Sequence, residues 1–443
     1  MVQNSFDSPL LTDLYQLTMA QVYVEKGLTG TACFEFFVRE LPAERNFLVA
    51  SGIQEIINFL KNFSFSSEDL KFLESTGLFN KDFLEYLSEL QFKGDVYAMD
   101  EGTVFFPMEP VLQVKAPLPL AQLLETRIIN VLQYSILITS KAARVSLASR
   151  GKTVVDFGLR RAHGGEAGLL AAKSSYIGGF NGTSTVLAGK LYGIPIFGTM
   201  AHSYIQAHRN ELEAFLNFAR TYPQRPIFLV DTYDVKQGVE TAIKATQILK
   251  KEGINPFGIR IDSGDLSEES RMARLLLDEA GYNDIKIIAS GDLDEYSVAR
   301  LVESNAPIDG FGVGTRVVTS VDVPYLNCAY KLVEYSGKKT FKRSKGKATL
   351  PGQKQVIRHF DENGGMIFDE LVLCDKTMNT SATAKCLLKP IVEQGKVVNS
   401  AFAIEDARQR LRTSLNMLPN HLKALHKAPV YEVRINPKHF NLS

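Results

Sequence analysis

Arg260, Asp262 and Asp265 fall within the run Arg-Ile-Asp-Ser-Gly-Asp, directly behind the short apolar stretch that begins at Phe257. Alternation along a strand puts Arg260 and Asp262 on one face, with Asp265 just past the end. A guanidinium there can grip a phosphate through two hydrogen bonds, and the carboxylates can take sugar hydroxyls or orient a hydrated Mg²⁺. An internal Arg–Asp ion pair is the simpler alternative. His202 closes the run Gly-Thr199-Met-Ala-His, a strand-end position that suits a nucleophile as well as it suits a structural histidine. His208 lies six residues on, the wrong spacing for a shared metal. Ser290-Gly291-Asp292, ahead of the helical run that begins at Asp294, and Gly312-Val-Gly314-Thr315-Arg316 are small-residue turns. Free N–H groups at such a turn, backed by a helix dipole, suit a phosphate. Asp156-Phe157-Gly-Leu-Arg160-Arg161 adds a ring and two guanidiniums, on which a flat anionic ring compound can stack and pair.

All of these clusters stand in the same place relative to their elements. Between Thr153 and Val318, short apolar runs (TVVDFG, IPIFGT, PIFLVDT, FGIRID, IKIIASG, IDGFGVG) alternate with helix-like stretches, and each run ends in a polar or glycine-rich cluster. That alternation, at roughly 25–30 residues per repeat, predicts a parallel sheet covered on both faces. Sites of β/α barrels are built at the C-terminal strand ends, so the region reads as an irregular β/α barrel with its site at that mouth. Upstream, a helix is expected from Thr12 or Asp13 to Gly27, then a strand over 31–38, helices near 52–62, 67–75 and 80–90, and three short strands. Pro117 and Pro119 mark a break before a long helix over 120–140. After Tyr330 the pattern turns to hairpin strands expected to return to the N-terminal region, followed by a helical tail over 400–425. Lys338, Lys339, Lys342, Arg343, Lys345 and Lys347 read as a solvated hairpin tip rather than an anion site.

Composition narrows the class. The 443 residues are 45% hydrophobic and 22% charged, which excludes wholesale disorder. Lys and Arg total 50 against 49 Asp and Glu, a net charge of +1 that argues against nucleic acid as the main partner. The cysteines (Cys33, Cys328, Cys374, Cys386) are too scattered for a disulfide framework or a zinc site. The apolar stretch Leu120–Thr139 is interrupted by Glu125, Arg127, Asn130 and Gln133, so no membrane span is expected and the chain reads as a cytoplasmic globular protein.

The motifs LLTDLYQLTM (10–19), DFGLRRAHGGEAG (156–168), GGFNGTSTVLAG (178–189), FGTMAHSYIQAH (197–208), IRIDSGDL (259–266) and FGVGTRV (311–317) resemble, in order and spacing, those of the nicotinate phosphoribosyltransferases. The resemblance runs from Leu10 to about Thr319 and is weaker beyond residue 330. It implies an α/β fold, an irregular β/α barrel (116–330) beside a discontinuous α/β sandwich domain (1–115 and 331–443). It also implies a homodimer with shared active sites. The implied reaction transfers a phosphoribosyl group from phosphoribosyl pyrophosphate to nicotinate, with Mg²⁺, coupled to hydrolysis of ATP as co-substrate. The implied roles are phosphorylation for His202, contact with nicotinate or the ribose phosphate for Arg260 and Thr199, and the two ring faces for Phe157 and for Tyr15 from the partner subunit. Arg160 would meet the substrate's anionic groups. Ser290, Gly291, Gly312, Gly314 and Thr315 would cradle the 5′-phosphate, with Asp262 and Asp265 on ribose hydroxyls or Mg²⁺-pyrophosphate. Ser184 stands where nicotinamide-using relatives carry Asp, which favours the acid over the amide. The competing readings are nicotinamide phosphoribosyltransferase, the shorter quinolinate enzymes, and a non-catalytic nucleotide-binding barrel.

Overall fold

The computed structural model describes residues 8–342, 349–374, 383–398, 403–435 and 440. The chain divides into two compact units, residues 1–140 with 325–443, and residues 141–324. The boundaries therefore fall later and earlier than the expected 115/116 and 330/331. Pro119 does not break the first unit, because it sits in the first turn of a buried helix, Leu118–Leu123, where its missing N–H costs nothing. The long helix that follows is Glu125–Ala148. At the other end the strand Cys328–Tyr335 already pairs with Thr31–Val38.

The first unit is built on a seven-stranded antiparallel sheet, in which Thr31–Val38 lies between Cys328–Tyr335 and Pro110–Pro117. Every residue of Thr31–Val38 after Thr31 is buried, which explains its continuous run of apolar and aromatic side chains. Glu35 is the exception. Its carboxylate is held by Lys354 Nζ at 2.7 Å and by Gln113 Nε2 at 2.7 Å. The expected return of the C-terminal strands is present, since Leu388–Glu393 pairs with Asp95–Met99 in the same sheet. A second, four-stranded sheet contains Lys354–Phe360 and Met366–Leu373. The helical tail is Ile404–Met417. In the basic hairpin, Lys338–Lys339 form an exposed two-residue strand, while Arg343, Lys345 and Lys347 lie outside the described residues.

The second unit holds a six-stranded sheet in the order Gly182–Thr183, Thr153–Asp156, Gly310–Val313, Lys286–Ala289, Gly258–Ile261, Ile227–Leu229. All five ladders are parallel. Short apolar strands separated by helices produce this arrangement, and every strand carries its polar cluster at the same end. The run IPIFGT makes a single parallel bridge, Ile196 to Thr183, instead of a strand. Pro195 has no N–H to donate, and its carbonyl is taken by the Thr183 N–H at 3.0 Å. Among the described residues no ladder joins Gly182–Thr183 to Ile227–Leu229, so the hydrogen-bonded sheet does not close on itself. Side chains cross that gap, as described next. No helix of the described residues is long and apolar enough to cross a membrane.

Candidate active site

The segment after Pro195 carries Thr199 and His202, and both bond to residues at neighbouring strand ends. Arg260, in Gly258–Ile261, donates from Nη1 to Thr199 Oγ1 at 2.7 Å. His202 Nδ1 lies 3.2 Å from the Thr232 hydroxyl, just beyond Ile227–Leu229. His202 opens the short helix His202–Gln206, and its Nε2 lies 3.9 Å from Asp262 Oδ2. The imidazole is thus set between a hydroxyl and a carboxylate, an arrangement that fixes ring orientation.

Asp262 is held from two sides. Ser290 Oγ donates to its Oδ1, and its backbone N–H donates to Asp231 Oδ2 at 3.0 Å. Asp231 also accepts from Ser263 Oγ at 2.6 Å, while its buried Oδ1 pairs with no protein group among the described residues. Arg260 lies between these carboxylates. Burial pushes its pKa below the ordinary guanidinium range, Asp262 and Asp231 oppose that shift, and the nearby Arg160 adds to it. Its buried Nε is likewise without a protein partner among the described residues. Two guanidiniums close enough to repel, one with an unsatisfied N–H, make a site ready for an anion.

Three glycines are required by close approach. Gly291 has φ +98°, and a Cβ there would stand 2.1 Å from the Asp262 carbonyl oxygen. Gly312 lies under Phe157, where a Cβ would meet ring carbons at 2.6 Å. Gly314 faces the Phe157 backbone, with a hypothetical Cβ 2.7 Å from its carbonyl oxygen. Phe157 itself is anchored by its N–H to Val313 O at 2.8 Å. Beneath it, Asp156 is buried and accepts from Thr183 Oγ1 at 2.7 Å and Gly158 N at 2.8 Å. Burial raises its pKa, and those two hydrogen bonds oppose the rise. The Asp156 carbonyl accepts the Ser184 N–H at 2.8 Å, which places Ser184 at the same strand-end level as Phe157.

Residues 10–133 match the nicotinate phosphoribosyltransferase N-terminal domain, 153–364 the nicotinate phosphoribosyltransferase family, and 353–443 its C-terminal domain. The chain belongs to the nicotinate phosphoribosyltransferase family. It is 44% identical to nicotinate phosphoribosyltransferase pncB2 of Mycobacterium tuberculosis, over 94% of this chain and 89% of that one. It is 40% identical to the nicotinate phosphoribosyltransferase of Bacillus subtilis, over 96% and 92%. Among solved structures, human nicotinic acid phosphoribosyltransferase superposes with a TM-score of 0.87 at 28% identity, covering 97% of this chain and 99% of that one. The nicotinate-nucleotide pyrophosphorylase of Pyrococcus furiosus superposes with a TM-score of 0.77 at 27% identity, over 94% and 97%.

Against the residues expected of a nicotinate phosphoribosyltransferase, the second unit joins His202, Thr199, Arg260, Asp262 and Ser290 through the contacts above. It packs Gly312 and Gly314 on Phe157 and Gly291 on the Asp262 carbonyl, and it puts Arg160, which is exposed, within electrostatic reach of Arg260. Thr315 opens the short helix Thr315–Val318, which no side chain caps. Tyr15 lies in the first unit, half-exposed on the helix Leu14–Glu25. Three expectations change. Asp265 turns back to cap its own helix, accepting from Ser267 N at 2.9 Å and Glu268 N at 3.1 Å through one oxygen. The helix behind Ser290 begins only at Glu295, and a capping box between Asp294 and Ser297 occupies its N-terminus. Arg316 donates to Asp292 Oδ2 at 2.6 Å, so it is paired rather than waiting for phosphate. The polar cluster that ends the run PIFLVDT contains Asp231 and Thr232, to which sequence reasoning gave no individual role.

Proposed function

We propose that this chain transfers the phosphoribosyl group of phosphoribosyl pyrophosphate to the ring nitrogen of nicotinate, giving nicotinate mononucleotide and pyrophosphate, with ATP hydrolysed through a phosphorylated His202. The observation that carries the reading is the Arg260 constellation: a half-buried guanidinium tied to Thr199, with a free N–H, and with Arg160 and two carboxylates in electrostatic reach. The names of the relatives supply the acceptor.

Nicotinate would stack on Phe157 with its carboxylate toward Arg160 and Arg260. Ser184 is neutral there and tolerates a carboxylate, whereas an Asp would set like charges together. The 5′-phosphate would sit against the turns at Ser290–Gly291 and Gly312–Thr315, where the glycines allow close backbone approach. The ring nitrogen attacks the ribosyl anomeric carbon as its bond to pyrophosphate breaks. Charge develops on the leaving oxygens, and fixed donors facing them would stabilise it. Mg²⁺ on the pyrophosphate would neutralise part of that charge. Asp262 and the unpaired Asp231 Oδ1 are the donors that fit it, consistent with a cation that keeps most of its waters. In the coupled step a His202 ring nitrogen attacks the terminal phosphorus of ATP. The bond to ADP breaks as the N–P bond forms, and the ring proton passes to solvent or Asp262. Thr232 and Asp262 keep the imidazole in line.

The active unit is proposed to be a homodimer, with Tyr15 of the partner subunit stacking on nicotinate. Two exposed apolar surfaces support it: Leu11, Leu14 and Tyr15 in one unit, and Val186, Leu187, Leu191 and Ile196 in the other. The test of the coupling is His202→Ala. ATP stimulation should disappear while slow ATP-independent transfer remains, and an acid-labile phosphoenzyme that still forms in the variant would refute the assignment.

A further inference from the structure

Away from the reacting groups, the second unit contains a buried ionic network that the chemistry above does not use. Lys141, in the helix Glu125–Ala148, is 1% exposed. Its Nζ lies 2.8 Å from Glu295 Oε2 and 2.7 Å from Asp322 Oδ1. Arg144, one turn on, approaches Glu295 Oε1 with Nε at 3.1 Å and donates from Nη2 to the Tyr296 hydroxyl at 3.0 Å. Glu295, fully buried, is the first residue of the helix Glu295–Glu303, which follows the Ser290–Gly291 turn. Asp322 follows the helix Thr315–Val318, which begins at the Gly312–Gly314 turn. One ammonium therefore fastens the segments behind both glycine turns. Arg316, bonded to Asp292 at 2.6 Å, adds an exposed tie between the same two loops.

Stability alone does not explain the network. Replacing a buried ion pair by apolar groups of similar volume is often neutral or stabilising. What such a network adds is register, because fixed distances from a single nitrogen to two carboxylates hold only one relative placement of the loops. A phosphate site made of backbone N–H groups on two separate loops needs that placement before ligand arrives, since ordering the loops on binding lowers affinity.

We propose that Lys141 and Glu295, supported by Arg144 and Asp322, are positioning residues that hold the two glycine turns in register for the 5′-phosphate of the phosphoribosyl donor. The proposal rests on the reading of those turns as the phosphate site, so the experiment separates the two. Titration calorimetry on the full chain with ribose 5-phosphate, and separately with Mg²⁺-pyrophosphate, compares wild type with Lys141→Met/Glu295→Gln, which removes one charge of each sign. Ribose 5-phosphate affinity should fall at least about tenfold, with pyrophosphate affinity within about twofold. In turnover, KM for phosphoribosyl pyrophosphate should rise about as much, with kcat within about twofold. Asp322→Asn, a gentler change at a side chain 21% exposed, should shift the same quantities in the same direction by less, and covers the case in which the double variant does not fold. Unchanged ribose 5-phosphate binding in a folded variant with a lower Tm, or equal loss of both ligands, would overturn the positioning role. A wild type that binds pyrophosphate but not ribose 5-phosphate would overturn the phosphate-site reading and the proposal with it.

Discussion

Gly312→Ala probes the acceptor pocket without touching a polar group. The added methyl would lie 2.6 Å from two ring carbons of Phe157, with Ser290 Cβ at 3.2 Å limiting escape on another side. Carbon–carbon contact needs at least about 3.5 Å, so the ring must retreat by roughly 1 Å. The ring end of a side chain moves more easily than backbone, so the fold should survive at an overpacking cost of about 1–3 kcal/mol. Catalysis should suffer more than stability. A misplacement of about 1 Å costs on the order of 100-fold, or about 2.7 kcal/mol, and we expect kcat/KM for nicotinate to fall by about 10- to 100-fold. The assay is steady-state transfer at saturating phosphoribosyl pyrophosphate, with a thermal melt run beside it. A double-mutant cycle isolates the cause: Gly312→Ala should add little once Phe157→Ala has removed the ring. Wild-type kcat/KM in Gly312→Ala, or full additivity with Phe157→Ala, would refute the reasoning.

Ser184→Asp should lower kcat/KM for nicotinate by at least about tenfold, roughly 1.4 kcal/mol, and affect nicotinamide much less; equal loss of both acceptors would sink the selectivity argument. Mixing inactive Tyr15→Ala with inactive Arg260→Ala subunits should restore about a quarter of normal activity per site, because random pairing makes half the dimers mixed, each with one intact site of two; no recovery despite demonstrated subunit exchange would count against a shared site. Glu109→Gln should stabilise the first unit at neutral pH. Burial, first, and the neighbouring Asp369 raise the Glu109 pKa well above its ordinary 4.5. Below pH 4.5 the carboxyl is protonated in both folded and unfolded chains and carries no penalty. As pH rises, the unfolded chain releases the proton while the folded chain keeps it. The advantage of Gln should therefore grow by about 1.4 kcal/mol per pH unit until the folded group ionises. Melts from pH 4 to 8 that show a constant difference would contradict this.

Much of the fold was legible because burial and period agree in it. The aromatic run Thr31–Val38 is a strand buried on both faces, and the alternation from Thr153 onward is the parallel sheet. The pairing of site residues was legible from their common place at strand ends. Three features were less so. Pro117 and Pro119 looked like a boundary, but proline in a first helical turn is harmless and the packed unit continues to Ser140. Asp265 looked available to ligand, yet it lies one residue before a helix and caps it. Lys141 is one of two neighbouring basic residues in a largely apolar helix, and only the folded chain brings Glu295 and Asp322 to it.

The most direct test of the account is turnover of the purified chain with phosphoribosyl pyrophosphate and Mg²⁺, offering nicotinate, nicotinamide or quinolinate, with and without ATP. Nicotinate should give nicotinate mononucleotide and stoichiometric pyrophosphate, stimulated by ATP, with little product from the other two acceptors. No product from nicotinate, or a preference for nicotinamide or quinolinate, would contradict it.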